Sequence, residues 1–168
     1  SLKNLDGTQQ KCVWRFPTPV DQLLVLFKLH HIFPSLPAIT SWRMDAFDYT
    51  QGQDVDQVMG AFFCIRREVI NQIGSLDDGF FMWYEEVDFC RRAKTAGWRI
   101  RYFSSISAKH KKGSSFDRVP TINKQNMLRR SIRRYMRKHF GRTVGWLFWI
   151  LEPVFFVVSF LASLLKPM

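Results

Sequence analysis

The sequence predicts an α/β fold followed by a basic amphipathic helix and a hydrophobic C-terminal segment. Three observations predict it. Short helical patterns at residues 66–73 and 85–96 lie between strand-like runs at 58–65 and 98–103, an order that a helical bundle does not give. Twelve Lys/Arg and one acid, Asp117, fill the window from Lys109 to Arg142, so the formal net charge of +11 belongs to that window. Residues 144–165 carry a single charge, Glu152. The boundaries expected are 1–116, 117–142 and 143–168.

At 168 residues the chain is long enough for one sizeable core, and 16 Phe with 6 Trp exclude disorder throughout. The three cysteines are odd in number and form no Cys-x-x-Cys, which argues against a disulfide framework or a zinc site and fits a reducing compartment.

Residues 1–19 read as loop and turn, with a turn at Leu5-Asp6-Gly7-Thr8 and extended backbone at Phe16-Pro17-Thr18-Pro19. Asp21 is placed to cap a helix from Gln22 to Phe33, ended by Pro34. His30 and His31 are adjacent and cannot share a helix face, so a helix-end role outweighs a metal pair. Residues 34–57 read as irregular. Val58 to Ile65 is a continuous apolar run around Gly60 and predicts a buried strand. Gly60 there marks a bulge or a close approach of backbone to a ligand. Arg66-Arg67-Glu68 opens a short helix through Ile73, stopped by Gly74.

The stretch Asp77-Asp78-Gly79-Phe80-Phe81-Met82-Trp83-Tyr84-Glu85-Glu86-Val87-Asp88 sets aromatic surface beside three carboxylates. A pocket that stacks a sugar ring and abstracts a proton needs flat apolar surface and acids desolvated enough to act as bases. The alternative is a helix N-terminus, where acids favour the positive end of the macrodipole without any chemistry. The helix runs from Glu85 to Ala96, with Val87, Cys90 and Ala93 toward the core and Gly97 as its stop. Glu85 and Asp88 share a face, suited to pairing with Arg91 or Arg92, and Glu86 points about 100° away. Trp98 to Phe103 reads as a strand, and extended chain delivers His110 to the loop Lys111-Lys112-Gly113-Ser114-Ser115.

From Asn123 to Phe140 apolar residues recur at Leu128, Ile132, Tyr135, Met136 and Phe140, with arginines and lysines on the other faces. No base-reading or stacking module accompanies this helix, so nucleic acid is not expected as a partner. Residues 144–165 as one helix would span roughly 33 Å, enough for a bilayer core. Pro153 leaves a broken or re-entrant hairpin as the rival. Either form predicts a membrane carrying anionic lipid, with the basic helix on the cytoplasmic side.

Val55-Asp56-Gln57-Val58-Met59-Gly60-Ala61-Phe62, Ile65-Arg66-Arg67-Glu68, the Asp77–Arg92 stretch, Ala96-Gly97-Trp98-Arg99-Ile100, and His110 with Ser114-Ser115 together resemble the C-terminal half of the family 2 glycosyltransferases. The rhamnosyltransferase-like enzymes of bacterial cell-surface polysaccharide assembly are the most similar branch, which Asp6-Gly7-Thr8 and Arg15-Phe16-Pro17-Thr18 also fit. The resemblance implies a partial GT-A (Rossmann-like) domain, a nucleotide sugar donor, a divalent metal (Mg or Mn) on its diphosphate, and inversion in one displacement. It aligns Glu86 with the base, where many members have Asp, and leaves Glu85 and Asp88 as substitutes. It places His110 where some relatives hold a metal ligand. It also implies that an N-terminal nucleotide-binding half with an Asp-x-Asp motif precedes residue 1. Asp54-Val55-Asp56 has those letters, but falls downstream of the motif's place and reads as loop acids.

The expectation is an inverting glycosyltransferase acting on a lipid-linked or polysaccharide acceptor at the cytoplasmic face of the bacterial inner membrane. Trp83 and Tyr84, with Gly60, would wall the acceptor site. Lys111, Lys112 and Ser114 would neutralise the diphosphate. A non-catalytic membrane adaptor that binds anionic lipid is the rival from another class. A glycoside hydrolase is weaker, since hydrolases set their carboxylates across a cleft.

Overall fold

The computed structural model describes residues 1–111, 113 and 119–164. The fold is α/β, with short strands. β1 (Leu2–Lys3) turns back on β2 (Gln9–Gln10), and β7 (Ala108–Lys109) adds to β1 in parallel. The turn expected at Leu5–Thr8 joins β1 to β2. Asp6 accepts from the Thr8 amide, and Gly7 adopts a φ of 88° that favours glycine. β3 (Val13–Trp14) pairs with β5 (Gln57–Val58), and β4 (Gln53–Val55) with β6 (Ile100–Tyr102), both antiparallel.

Several expectations change here. Residues 1–19 are not all loop, since three of these strands lie within them. Helix α1 (Pro19–Leu26) starts earlier than expected, because Thr18 is the cap and Asp21 closes the capping box from the third position. Lys28, at φ 61°, ends that run, and α2 (Leu29–Ile32) is a separate turn. There His30 and His31 stack at 3.9 Å, and burial, then the neighbouring His31, push His30 down to about 4. Within 34–57 stand α3 (Pro37–Trp42) and β4.

The strand expected over Val58–Ile65 ends at Val58. Gly60–Phe62 is a 3-10 turn, and Phe62 is exposed, so the apolar run does not mark a buried strand. α4 (Arg67–Ile73) ends at Gly74, as its φ of 79° allows.

Helix α5 (Glu85–Thr95) lies between two cores. Phe89, Cys90 and Ala93 join Val13, Val55 and Tyr102 in the first. Val87 joins Leu26, Phe80, Tyr84 and residues of α6 (Thr121–Phe140) in the second. The basic helix is therefore also a core helix: Ile132, Tyr135 and Met136 are fully buried.

The hydrophobic segment is not one helix. α7 (Arg142–Ile150) and α8 (Glu152–Leu164) meet at Leu151, and the pair is bent by 46°. Pro153 explains the break: it lacks an N–H and clashes with the carbonyl four residues back. Among the described residues no single helix is long and apolar enough to cross a membrane. Glu152 accepts from Arg129 at 2.9 Å and from Arg133 at 3.3 Å, so the bend is pinned to α6. Gly145 allows the close crossing of α7 on α6, where a Cβ would stand 2.7 Å from that of Arg137.

Candidate active site

The acids of the aromatic stretch are delivered by an unusual turn. Trp83 and Tyr84 both sit in the left-handed region, at φ 60° and 73°, and Tyr84 is the N-cap of α5 without a side-chain cap bond. Each such residue costs about 1–3 kcal/mol and persists only where its surroundings hold it. Here they do. The Tyr84 hydroxyl donates to Gln22 Oε1 at 2.5 Å, its ring packs on Tyr135, and Ser131 Oγ donates to the Met82 carbonyl at 2.7 Å.

Glu86 is turned toward the 3-10 segment. A Cβ on Gly60 would lie 3.6 Å from Glu86 Cβ and 3.9 Å from its Cδ, so Gly60 packs directly on the carboxyl's stem. Glu86 Oε2 is buried without a hydrogen-bond partner in the described structure, and so is Glu85 Oε2 beside it. Burial, then the charge of Glu85, raise the Glu86 carboxyl to about 7, against the backbone amides of Glu86, Gly60 and Val87. A buried carboxyl oxygen with no partner costs stability, and titratable groups left that way are candidates for function.

The structure thus brings Gly60, Glu85, Glu86 and the Trp83 turn together. It separates the other candidates. Asp88 is not an alternative base. Although burial pushes it up, His139 (2.7 Å), Lys138 and Arg92 (2.8 Å) hold it well below the usual carboxylate range, and it braces the fold. Tyr84 does not wall an open site, because its ring is a core residue at 8% exposure. Trp83 is half-buried, and Phe81, 78% exposed, is the aromatic face that the sequence reading passed over. A run of five large apolar residues gives no sign of which one is left outside.

His110 lies at the end of the β2–β1–β7 sheet with Nδ1 2.8 Å from Gln10 Oε1. Among the described residues no group of three or more His, Cys, Asp or Glu is placed to hold a metal ion. One imidazole does not make a site for a hard divalent cation, so the residues described do not complete one. Asp54 and Asp56 are engaged elsewhere, with Arg101 (3.1 Å) and Lys94 (2.7 Å). Lys111 is exposed, and Lys112 and Ser114 lie outside the described residues. A separate apolar cleft of about 580 Å³ is lined by Leu2, Phe63, Val69, Trp98 and Tyr102, and Glu86 is not among its walls.

Much of the basic helix is already spoken for. Arg134 Nη2 (2.6 Å) and Lys138 Nζ (2.7 Å) both donate to Asp77, and with the Gly79 amide they bring it down to about 2 against the upward push of burial. Arg130, Arg137 and Arg142 are exposed.

Comparison with known proteins gives a consistent picture. The family described as "Glycosyltransferase like family 2" matches residues 35–136. An N-acetylglucosaminyl-diphospho-decaprenol L-rhamnosyltransferase of Mycobacterium tuberculosis is 31% identical over 88 residues, covering 52% of this chain and 28% of that protein. A low-salt glycan biosynthesis hexosyltransferase of Haloferax volcanii is 39% identical over 56 residues, 33% of this chain and 18% of the relative. A rhamnosyltransferase of Escherichia coli is 34% identical over 56 residues, 33% of this chain and 21% of the relative. The matches therefore span less than a third of each relative's length. No solved structure matches.

Proposed function

Because this chain belongs to the glycosyltransferase-like family 2, we propose that it is the acceptor-side part of an inverting GT-A glycosyltransferase that builds cell-surface glycan. In this reading the transferred sugar is a hexose, rhamnose by analogy with two of the relatives, and the acceptor is a lipid-linked diphosphate sugar or a polysaccharide. The observation that carries the reading is the Glu86 carboxyl, whose Oε2 is buried without a partner and which is raised to about 7 at the edge of an aromatic turn.

A general base works best with a pKa near the operating pH, where it is ionised often enough and still basic enough to take a proton. Glu86 takes the proton of the acceptor hydroxyl. The acceptor oxygen attacks the anomeric carbon as the bond to the nucleoside diphosphate breaks. The diphosphate leaves with the bonding electrons, and the configuration inverts. Glu85, one residue away, keeps the base from ionising too early. Phe81 and Trp83 offer stacking surface to the acceptor, and Gly60 lies against the Glu86 stem. Lys111, with Lys112 and Ser114, would meet the charge of the diphosphate, and His110 would give one ligand to a divalent ion.

The membrane enters through α7 and α8. Trp146 (60% exposed), Trp149 and Ile150 on α7, with Val157 and Leu161 on α8, leave a broad apolar surface open. The exposed Arg130, Arg137 and Arg142 stand on the same pair of helices or the one beside them. Tryptophan beside cations suits the headgroup level of an anionic bilayer, on the cytoplasmic face.

The test is Glu86→Gln in the protein expressed from its native reading frame, with a nucleoside-diphosphate rhamnose and N-acetylglucosaminyl-diphospho-decaprenol as probes. Turnover should fall about 10²–10⁴-fold with donor KM little changed. Near-full turnover of folded Glu86→Gln would remove the base assignment. Vesicle binding without transfer by the wild type would favour the non-catalytic adaptor.

A further inference from the structure

The mechanism leaves one cluster unused: the acids that bracket the Glu86 turn and the cations that meet them from α6. Asp77 stands before the aromatic run and Asp88 in the first turn of α5. Lys138 Nζ reaches both, at 2.7 Å from Asp77 Oδ2, 2.8 Å from Asp88 Oδ1 and 3.0 Å from Asp88 Oδ2. One ammonium thus joins the two ends of the segment that carries Phe81, the left-handed pair and Glu86. Lys138 lies beyond the family match, which ends at residue 136.

We propose that Lys138 is a positioning residue for Glu86, closing the 77–88 segment into a loop of fixed span. This rests on Glu86 being the base.

The geometry makes the loop sensitive to that one bond. Two consecutive left-handed residues are a costly conformation, and they relax if the ends of the segment can separate. Asp88 is completely buried, so its carboxylate tolerates no loss of partners without rearrangement. Its other partners are Arg92 from its own helix and His139 from α6. Arg92 also donates to the carbonyls of Ile73 and Ser75, on the approach to Asp77. Asp77 has Arg134 and the Gly79 amide besides Lys138. Each acid keeps a cation without Lys138, but no other side chain in this set reaches both carboxylates. Lys138 Nζ has three N–H donors, enough to reach oxygens of both carboxylates at once. The groups that face Glu86 itself are Glu85, Tyr84, Cys90 one turn along the same helix, and the backbone of Gly60 and Val87. Lys138 therefore acts on Glu86 through the loop.

The experiment follows the Glu86 carboxyl by carbon-13 NMR in the chain of residues 1–168, its signal assigned by loss in Glu86→Gln. In the wild type it should titrate near 7. Lys138→Met keeps the stem and removes the bridge. Its Glu86 midpoint should fall toward the ordinary 4.5 as water reaches the carboxyl. Exchange of the Asp88 amide, bonded to the Tyr84 carbonyl at 2.8 Å, should quicken about tenfold while the amides of Ile132 and Met136 stay protected. Loss of a cation alone would push a nearby carboxyl up, so the downward direction is diagnostic. Lys138→Arg should restore most of both readouts. A wild-type midpoint and wild-type Asp88 exchange in folded Lys138→Met would overturn the proposal. If that variant does not fold, Asp77→Asn cuts one arm of the bridge, and it should shift both readouts the same way by less. No shift in Asp77→Asn would overturn the proposal as well. The base assignment is tested apart from this, by turnover of Glu86→Gln.

Discussion

Burying the Glu86 carboxyl without a cation should be visible as a pH dependence of folding. Its carboxyl titrates near 7 in the folded chain and near 4.5 when unfolded. Between those values the folded state binds the extra proton, so stability is present below about 4.5 and is lost as pH rises through 7. A shift of that size corresponds to about 3 kcal/mol. Glu86→Gln abolishes the titration without changing the shape much. The assay is urea unfolding at pH 5 and pH 8, followed by tryptophan fluorescence, with the variant compared to the wild type at each pH. The variant should gain about 2–3 kcal/mol relative to wild type on going from pH 5 to pH 8. The comparison must be a difference, because His30 acts in the opposite sense. Its folded value is lowered to about 4, so stability from that site is present above 6.5 and lost as pH falls through 4. His30 titrates alike in both proteins and cancels. A variant-minus-wild-type difference that is flat in pH would refute the reading of Glu86 as a carboxyl raised by burial.

Two further outcomes follow from the C-terminal helices. Gly145→Ala should destabilise the protein by about 1–3 kcal/mol, read by thermal or urea unfolding, because the added methyl would stand 2.7 Å from Arg137 Cβ with backbone behind it. An unchanged midpoint would mean that the two helices are not so closely crossed. The chain should float with vesicles that contain anionic lipid, and Trp146→Ser with Trp149→Ser should weaken this about tenfold or more at any salt, whereas raising salt should weaken the wild type only in part. Equal flotation of wild type and double variant would show that this surface does not face lipid.

How far the sequence foretold this depended on whether a signal was local. Helix α5, its core positions Val87, Cys90 and Ala93, and its bracketing glycines were legible because periodicity and stop signals act within a few residues. The choice of Glu86 came from resemblance, with helical spacing in support. Residues 58–65 misled because an apolar run reads alike whether the backbone is extended or coiled into a 3-10 turn with Phe62 outside. Asp88 and Tyr84 were misplaced for a different reason. What decides their roles is Lys138, His139 and Tyr135, about fifty residues downstream, and no spacing rule brings a helix back across that distance. The same blindness made the cations of the basic helix look like a surface for headgroups. Arg129, Arg133, Arg134 and Lys138 in fact meet acids of this chain.

The place of α5 between the two cores ties the fate of the Glu86 turn to the whole molecule. A helix that supplies side chains to both hydrophobic clusters cannot fray on its own, since releasing it strips apolar cover from each. Opening of the turn should then be either a small local breathing of residues 77–84 or complete unfolding, with little in between. Cys90, on the face of α5 that enters the first core, is fully buried, its thiol pushed up to about 12 by burial. Cys64, by contrast, is exposed. The chain thus carries its own thiol reporters: Cys64 is open to a reagent throughout, while Cys12 and Cys90, both in the first core, answer only when that core comes apart.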